Sequence, residues 1–268
     1  MVGLRQHIPL QVRRPIARVA SFVGLRFSRA SVAIMELPLI LLSPSEVAAW
    51  ERDRYRSSRR LQVYASKQAI SKGLSADESE IVELCRMAGK DVLVLGVGGG
   101  REALSLSKLG CRVTGVDTSP EMVEACAANA ARACVEIDLR LLDPAEQHLG
   151  TDMYDFIVGF YGFYSIVMGQ ERRVRLLRHL QAMLRPAGTI VLSFFIGRPR
   201  TATSVAHTAW RRGYEYGDTY YGEPVHLFTK ESFAAETREA GLTASFVPLS
   251  TDYSYFIETY SLLTKSTR

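Results

Sequence analysis

The sequence lacks the features that would place it outside the ordinary globular proteins. No uninterrupted run of about 18 apolar residues occurs, and the most hydrophobic stretch, 31–42, contains Glu36 and Pro38. The sequence therefore predicts no transmembrane helix. The cysteines form no CxxC pair and have no close histidine, which argues against a disulfide framework or a metal site. We expect packed, reduced thiols at all four positions: Cys85, Cys111, Cys126 and Cys134.

Acidic residues are absent from the first 35 residues. Three interpretations stay open for this basic segment: an amphipathic segment on a membrane surface, an organelle transit peptide, or an arm that packs on its own domain or on a second subunit. The net charge of +5 permits an anionic partner without indicating one. We expect residues 1–42 to form this arm, whose arginines are Arg5, Arg13, Arg14, Arg18, Arg26 and Arg29.

From residue 91 onward, short apolar segments alternate with amphipathic ones. Strands separated by helices of this length indicate βαβ crossovers and a parallel, doubly wound α/β sheet. Two alternating segments near the end of the chain predict a final β-hairpin. The predicted strands are 91–96, 112–116, 136–141, 155–160, 188–195, 244–248 and 255–263, and the predicted helices are 101–109, 119–133, 170–184 and 229–242.

The remainder of the chain divides into a helical cap and a long connection. Helical patterns over 43–64 and 75–89 predict a cap, 43–88, which precedes a core, 89–268, so that 43–268 forms one domain. The connection 197–228 is rich in aromatic residues and glycine. Long connections in compact domains are usually functional or disordered, and the aromatic content favours a lid or a pocket wall.

The first predicted strand runs directly into a cluster of glycines: Gly96, Gly98, Gly99 and Gly100. A strand, a glycine turn and a helix form the crevice in which open α/β sheets bind ligands, and glycine lets the backbone approach the ligand closely. Asp117 ends the next strand, where a carboxylate can accept both hydroxyls of a ribose. The two features together predict a cofactor that contains a nucleoside.

Two common nucleotide-binding patterns are missing from this cluster. A dinucleotide fingerprint, GxGxxG, would require glycine at Arg101 or, when counted from Gly98, at Ala103. A phosphate-binding loop of the Walker type would require Gly-Lys-Ser/Thr, which is absent. The spacing is instead GxGxG.

The glycine stretch resembles that of the class I S-adenosylmethionine-dependent methyltransferases, and later segments fit the same family. The resemblance covers roughly residues 55–265. It implies a Rossmann-like, mostly parallel seven-stranded sheet with a C-terminal β-hairpin and an N-terminal helical extension. S-adenosylmethionine would be the cofactor and S-adenosylhomocysteine the product. The matching segments are GVDTSPEMVEACAANA, LRLLDPAE, YDFIVGFYGFY, LRHLQAMLRPAGTIVLSF and VHLFTKESFAAETREAGL.

The chain departs from the family pattern at Val94, where the family usually has an acid that helps to hold the amino-acid end of the cofactor. Glu102 could instead reach the ammonium group, or it could simply suit the positive end of its helix. Arg101 could pair with the cofactor carboxylate or lie in solvent. The resemblance implies a cofactor site made of Tyr64, Gly96, Val97, Gly98, Gly100, Glu102, Asp117, Thr118, Met122, Leu142, Asp143 and Phe160.

For the acceptor, the resemblance indicates the segment after the fourth strand, the cap and the aromatic connection. His226 is the candidate base if the acceptor must lose a proton, and otherwise it would line the pocket. His148 is expected to be structural. His179 is expected to be solvated in a helix that also carries Arg172, Arg173, Arg175 and Arg178. The candidate substrate residues are Tyr55, Tyr161, Tyr164, His207, Tyr220 and Tyr221.

The leading hypothesis is therefore a cytoplasmic methyltransferase that acts on an oxygen or nitrogen atom of a small molecule, without a metal or a nucleic-acid partner. A lipid or membrane-associated acceptor is an alternative suggested by the basic arm. A non-catalytic protein of the same fold is a second alternative, suggested by Val94. Membrane contact of the arm and a homodimer are left open.

Overall fold

A computed structural model describes residues 37–55, 58–145, 147, 151, 153–197, 214–220, 223–253 and 256–266. The arm before residue 37 lies outside these residues, as does most of the connection expected to form a lid. Among the helices that are described, none combines the length and the hydrophobicity needed to cross a bilayer.

The core is a seven-stranded sheet with the order β3-β2-β1-β4-β5-β9-β8. The first five strands are parallel, and β9 pairs antiparallel with both β5 and β8. The predicted doubly wound sheet and its C-terminal hairpin are both confirmed. Its strands are β1 (Asp91–Leu95), β2 (Arg112–Asp117), β3 (Asp138–Leu141), β4 (Tyr154–Gly159), β5 (Leu184–Ile196), β8 (Leu242–Tyr253) and β9 (Phe256–Lys265).

Helices cover both faces of this sheet, and local sequence signals set their ends. Ser119 caps the helix after β2, because its hydroxyl accepts the Met122 N–H at 3.3 Å. Thr229 and Ser232 form a reciprocal cap on the last helix. The core helices are α6 (Arg101–Lys108), α7 (Pro120–Ala133), α8 (Phe163–Ile166), α9 (Gln170–Met183) and α10 (Lys230–Glu239).

The predicted cap is made of short helices rather than the two long ones expected. The segment 43–64 divides into two helices, and the helix predicted over 75–89 ends at Leu84. The cap helices are α2 (Pro44–Tyr55), α3 (Ser58–Ala65), α4 (Lys67–Ser71) and α5 (Ala76–Leu84), and α1 (Leu37–Leu41) precedes them at the end of the predicted arm. Buried apolar residues in and next to α1 and α2 pack with Met168, Tyr214 and Tyr220.

Two further expectations are corrected by the structure. The fifth strand begins at Leu184, four residues earlier than expected, because β5 follows α9 without a loop and pairs irregularly with β4 near Tyr154 and Phe156. Cys134 is exposed rather than packed, because it ends α7 in a left-handed conformation, whereas Cys111 and Cys126 are buried.

The described part of the aromatic connection forms a small hairpin of β6 (Asp218–Tyr220) and β7 (Pro224–His226). An isolated parallel bridge joins Ile196 at the end of β5 to Phe228 after the hairpin. The hairpin is therefore held beside the carboxyl ends of the parallel strands, which is the edge where the site lies.

Candidate functional site

The glycine loop between β1 and α6 adopts a backbone that other residues rarely tolerate. Gly96, Gly98 and Gly100 have φ angles of +62°, +52° and +96°. Gly100 also closes the turn, because its N–H donates to the Val97 carbonyl at 2.9 Å. The positive φ angles therefore explain why glycine occupies these three positions, in addition to any close approach of a ligand.

Gly99 has a different role, since it forms the contact between the loop and the cap. A Cβ atom at this position would lie 2.4 Å from Ala65 Cα and 2.6 Å from the Tyr64 carbonyl oxygen. Asn129 on α7 supports the same contact by donating to the Gly99 carbonyl at 2.7 Å. The end of α3 can therefore rest on the loop only while position 99 lacks a side chain.

We expect Gly99→Ala to separate the cap from the loop. The overlap with backbone atoms should cost about 1–3 kcal/mol of the free energy of unfolding, and it should also weaken binding of a ligand that lies between the two parts. Chemical denaturation measures the first effect and calorimetry the second. Gly110→Ala is the control for ligand affinity, because its φ of +79° costs stability of its own while a Cβ there meets nothing within 4 Å and so does not displace the cap. A Gly99 variant with unchanged ligand affinity would contradict this assignment.

Asp117 at the end of β2 faces the same loop. Its Oδ2 accepts the Gly98 N–H at 2.8 Å, and its Oδ1 accepts the Ser119 N–H at 2.9 Å. Burial raises the pKa of Asp117, and the N–H groups of Ser119 and Gly98 oppose that rise. Each carboxylate oxygen keeps acceptor capacity beyond these bonds, so the group can still receive two ribose hydroxyls.

A cavity of about 600 Å³ opens beside the loop and Asp117 at the carboxyl edge of the sheet. All the predicted cofactor residues line this cavity except two. Gly100 and Leu142 are not among the described residues in its wall. Gly100 instead lies over a buried thiol, 2.6 Å from its would-be Cβ to Cys126 Sγ. Burial raises the pKa of Cys126 to about 12, with Asp117 and Glu102 adding to the rise, so this thiol stays protonated.

One end of the cavity carries a cluster of ionised side chains. Arg101 binds Glu78 through two contacts, from Nη1 at 2.6 Å and from Nη2 at 2.7 Å, and its Nη2 also contacts Glu102. Its Nη1 donates to the Gly73 carbonyl at 2.9 Å. The expectation that Arg101 lies in solvent is therefore wrong. Burial lowers the pKa of Arg101, but Glu78 and Glu102 outweigh this effect and raise it overall.

Asp143 lies in the wall where the resemblance expects the adenine ring. Its Oδ1 accepts the Ala145 N–H at 3.0 Å, and its Oδ2 pairs with Arg172. Arg172 also lines the cavity, and no sequence feature pointed to it beyond its place in an arginine-rich helix. The expectation that His179 on the same helix is solvated is wrong. This residue is half-buried, with Nδ1 3.0 Å from the Pro144 carbonyl oxygen.

The segment after β4 presents Tyr161 to the cavity. Tyr161 has φ +57° and is 53% exposed, and its ring meets Tyr64 edge-on with 6.4 Å between centroids. The next N–H, of Gly162, donates to Glu258 Oε1 at 2.8 Å and to Ser193 Oγ at 2.6 Å. Glu258 is buried and lines the cavity, and sequence reasoning did not identify it.

Three candidate acceptor or base residues are not brought to the cavity within the described part of the chain. Tyr164 is buried and donates to Glu236 Oε2 at 2.7 Å. Tyr220 stacks on Trp50 with 6.2 Å between ring centroids. His226 is buried, with Nδ1 2.6 Å from Asp218 Oδ1. The side chain of Tyr55 lies outside the described residues, as do His148, His207 and Tyr221.

Comparison with known proteins agrees with this geometry. Residues 92–188 match the family model described as a methyltransferase domain. The chain is 30% identical to the ribosomal protein L11 methyltransferase of Shewanella amazonensis over 125 residues, which are 46% of this chain and 40% of that protein. It is 27% identical over 172 residues to the ubiquinone biosynthesis O-methyltransferase of Paramagnetospirillum magneticum, 60% of this chain and 65% of that protein. The chain thus spans about two fifths to two thirds of these relatives.

Solved structures share the fold. The Burkholderia thailandensis 1,6-didemethyltoxoflavin-N1-methyltransferase, solved with 1,6-didemethyltoxoflavin and S-adenosylhomocysteine, superposes with a TM-score of 0.58. The superposition covers 84% of this chain and 92% of that one at 19% identity. At this identity the likeness shows the fold alone.

Proposed function

We propose that this chain, which carries a methyltransferase domain of the class I S-adenosylmethionine-dependent family, transfers a methyl group to an oxygen or nitrogen atom of a small molecule. The observation that carries the proposal is the position of Asp117, whose carboxylate is held by the Gly98 N–H at the mouth of the cavity. A half-buried acid that faces a glycine turn suits a ribose and not a pyrophosphate.

The residues of the cavity fit S-adenosylmethionine. When bound, this cofactor supplies a methyl group on a positively charged sulfur, and the protein supplies orientation and a dry pocket. Asp117 would hold the ribose hydroxyls, and Asp143 would lie beside the adenine. Glu102, held by Arg101, would bind the amino-acid end. S-adenosylhomocysteine would be released as the product.

The acceptor would bind in the cavity beside Tyr161. Ile166, Met168 and Pro224 also line the cavity, and together with the tyrosine ring they favour an acceptor with a ring or another apolar group. A lipid is a second candidate, because Val63 and Tyr161 at the cavity are both more than half exposed, at 55% and 53%. A cytoplasmic location and a small-molecule partner remain part of the proposal.

A hydroxyl would have to lose its proton as the new bond to carbon forms, whereas a protonated amine would have to lose a proton before it attacks, because it has no lone pair. His226 stays a prediction for this role, and its buried bond to Asp218 gives it no path to the cavity among the described residues. Glu258 in the cavity wall can accept such a proton, since carboxylates act as general bases when they are within reach of the acceptor.

Calorimetric titration tests the proposal directly. We expect S-adenosylmethionine and S-adenosylhomocysteine to bind and NAD to produce no heat. Transfer of a labelled methyl group to a panel of small hydroxylated and amine acceptors, with lipid vesicles as a separate arm, would then identify the acceptor class. Binding of NAD, with no heat from S-adenosylmethionine or S-adenosylhomocysteine, would overturn the proposal. Binding of the cofactor without transfer to any acceptor would favour a non-catalytic protein.

A further inference from the structure

Position 94 leaves the amino-acid end of the proposed cofactor without its usual acid. Val94 is only 2% exposed and lies in the cavity wall two residues before the first glycine of the loop. An apolar side chain there cannot bind an ammonium group. If the proposed function is correct, the positive charge must be met from another element.

A cluster of charged side chains that lines the same cavity includes one residue from the cap. Glu78 belongs to α5, 23 residues before Arg101 in the chain, yet its carboxylate makes both contacts of a bidentate pair with that arginine. Glu102 contacts the same guanidinium from the next position. Glu78 is 2% exposed, and all three residues line the cavity with Gly96 and Gly98.

The composition of this cluster favours a bound cation. Two carboxyl groups face one guanidinium, so that one negative charge is not compensated within the cluster when both are ionised. Burying an uncompensated charge is costly, and a cationic ligand would remove that cost. Burial raises the pKa of Glu102, Arg101 lowers it and Glu78 raises it further, which is consistent with a carboxylate that lacks sufficient positive charge nearby.

We propose that Glu78 completes the binding site for the amino-acid end of the cofactor and replaces the acid that is absent at position 94. Its carboxylate fixes Arg101 and, through Arg101, Glu102, so that the cluster offers carboxylate oxygens to the ammonium group. Glu78 is thus a positioning residue supplied by the cap. This inference rests on the proposed function. It adds which part of the cofactor the cluster binds and which residue holds the cluster in place.

The same residue couples the cap to the ligand. The Oε2 atom of Glu78 accepts the Ser75 N–H at 2.7 Å, and the Ser75 hydroxyl accepts the Glu78 N–H at 3.2 Å, which together start α5. A ligand with an amino-acid end would therefore steady the start of α5, whereas a ligand without that end would not.

The test compares two ligands that differ in this end alone. S-adenosylhomocysteine carries the amino-acid group, whereas 5′-methylthioadenosine keeps the adenine, the ribose and the sulfur but lacks it. We expect Glu78→Gln to weaken S-adenosylhomocysteine binding about tenfold, or roughly 1.4 kcal/mol, and to change methylthioadenosine binding less than twofold. Glutamine can still close the cap of α5, so folding should be retained.

Glu80→Gln is the matched control, because Glu80 lies on the same helix and is exposed. It should change neither affinity. Glu102→Gln is a second variant with the expected pattern of Glu78→Gln, and it keeps the test decisive if the first variant does not fold. Amide hydrogen exchange gives an independent readout: S-adenosylhomocysteine, but not methylthioadenosine, should slow exchange in α5 of the unmodified protein.

Each other outcome overturns the inference in its own way. Equal weakening of both ligands by Glu78→Gln would mean that the residue only supports the fold of the cavity. No weakening of either would mean that the cluster does not contact the ligand. If the unmodified protein binds methylthioadenosine and S-adenosylhomocysteine equally, the amino-acid end has no site here although the proposed function stands. If it binds neither, the proposed function itself fails.

Discussion

Replacing Asp117 with alanine is expected to lower the affinity for S-adenosylhomocysteine at least tenfold, equivalent to about 1.4 kcal/mol or more. The carboxylate has two tasks in the structure. It holds the Gly98 N–H at 2.8 Å and the Ser119 N–H at 2.9 Å, and it presents its remaining acceptor sites to the cavity. Alanine removes the ribose acceptor and releases the loop, so both changes weaken binding.

The expected pattern differs from that of Glu78→Gln. Because the ribose is common to both ligands, Asp117→Ala should weaken S-adenosylhomocysteine and methylthioadenosine to a similar extent. Asp138→Asn is a matched control, since Asp138 lies on the neighbouring strand β3 with 54% of its side chain exposed. Calorimetry on the three proteins measures the effect. Unchanged affinity in the Asp117 variant would mean that the ribose lies elsewhere.

The parts of the site that could be predicted from the sequence are those set by local pattern. The glycine loop and Asp117 lie on consecutive elements, and parallel strands bring their carboxyl ends to one edge whatever the rest of the chain does. The parallel sheet and its C-terminal hairpin followed from the alternation of strands and helices, together with the family resemblance. For the same reason the errors in that region are confined to element ends.

The contacts of the cap could not be predicted in this way. Glu78 reads as an ordinary first-turn acid, because its helix start satisfies every local rule for a capping residue. Its pairing with Arg101 depends on how α5 lies against α6, and no spacing in the sequence encodes that arrangement. Tyr164 and His226 illustrate the converse, since both have the chemistry of site residues but are used in a buried network.

One member of this buried network, Arg173, could have been identified from the sequence. Arg173 lies on α9 among other arginines and is not among the predicted site residues. It shares its helical face, however, with three buried leucines three, four and seven positions later: Leu176, Leu177 and Leu180. A charged residue in register with the apolar stripe predicts a buried ion pair, and Glu236 on α10 is its main partner.

Replacing Arg173 with leucine is expected to lower the free energy of unfolding by about 3–5 kcal/mol, because it leaves the buried carboxylate of Glu236 without its cation. The Arg173 side chain is 0% exposed, and its Nη2 lies 2.7 Å from both Glu236 Oε1 and Glu215 Oε2. The same guanidinium lies over the Phe228 ring at 5.2 Å. Its burial lowers the pKa of Arg173, but Glu236 outweighs that effect, so the side chain is charged when folded.

The geometry also explains why this cluster needs the arginine in particular. Ligand atoms of Glu215, His226 and Glu236 all lie within 4.8 Å of one another, and Tyr164 donates to Glu236 as well. Arg173 already bonds to both carboxylates of this group, and its Nη1 donates to the Val167 carbonyl at 3.3 Å. The guanidinium therefore ties α9 to α10, to the turn before β6 and to the end of α8.

Urea denaturation of the unmodified protein, Arg173→Leu and Arg178→Leu separates a buried pair from a surface one. Arg178 lies on the same helix, is 57% exposed and reaches Glu239 at 3.5 Å, so its replacement should change the free energy of unfolding by less than about 1 kcal/mol. Adding Glu236→Gln to Arg173→Leu should restore part of the loss, because it removes one of the uncompensated charges. Equal small effects in both single variants would mean that the cluster is hydrated and that α9 owes its position to the leucine face alone.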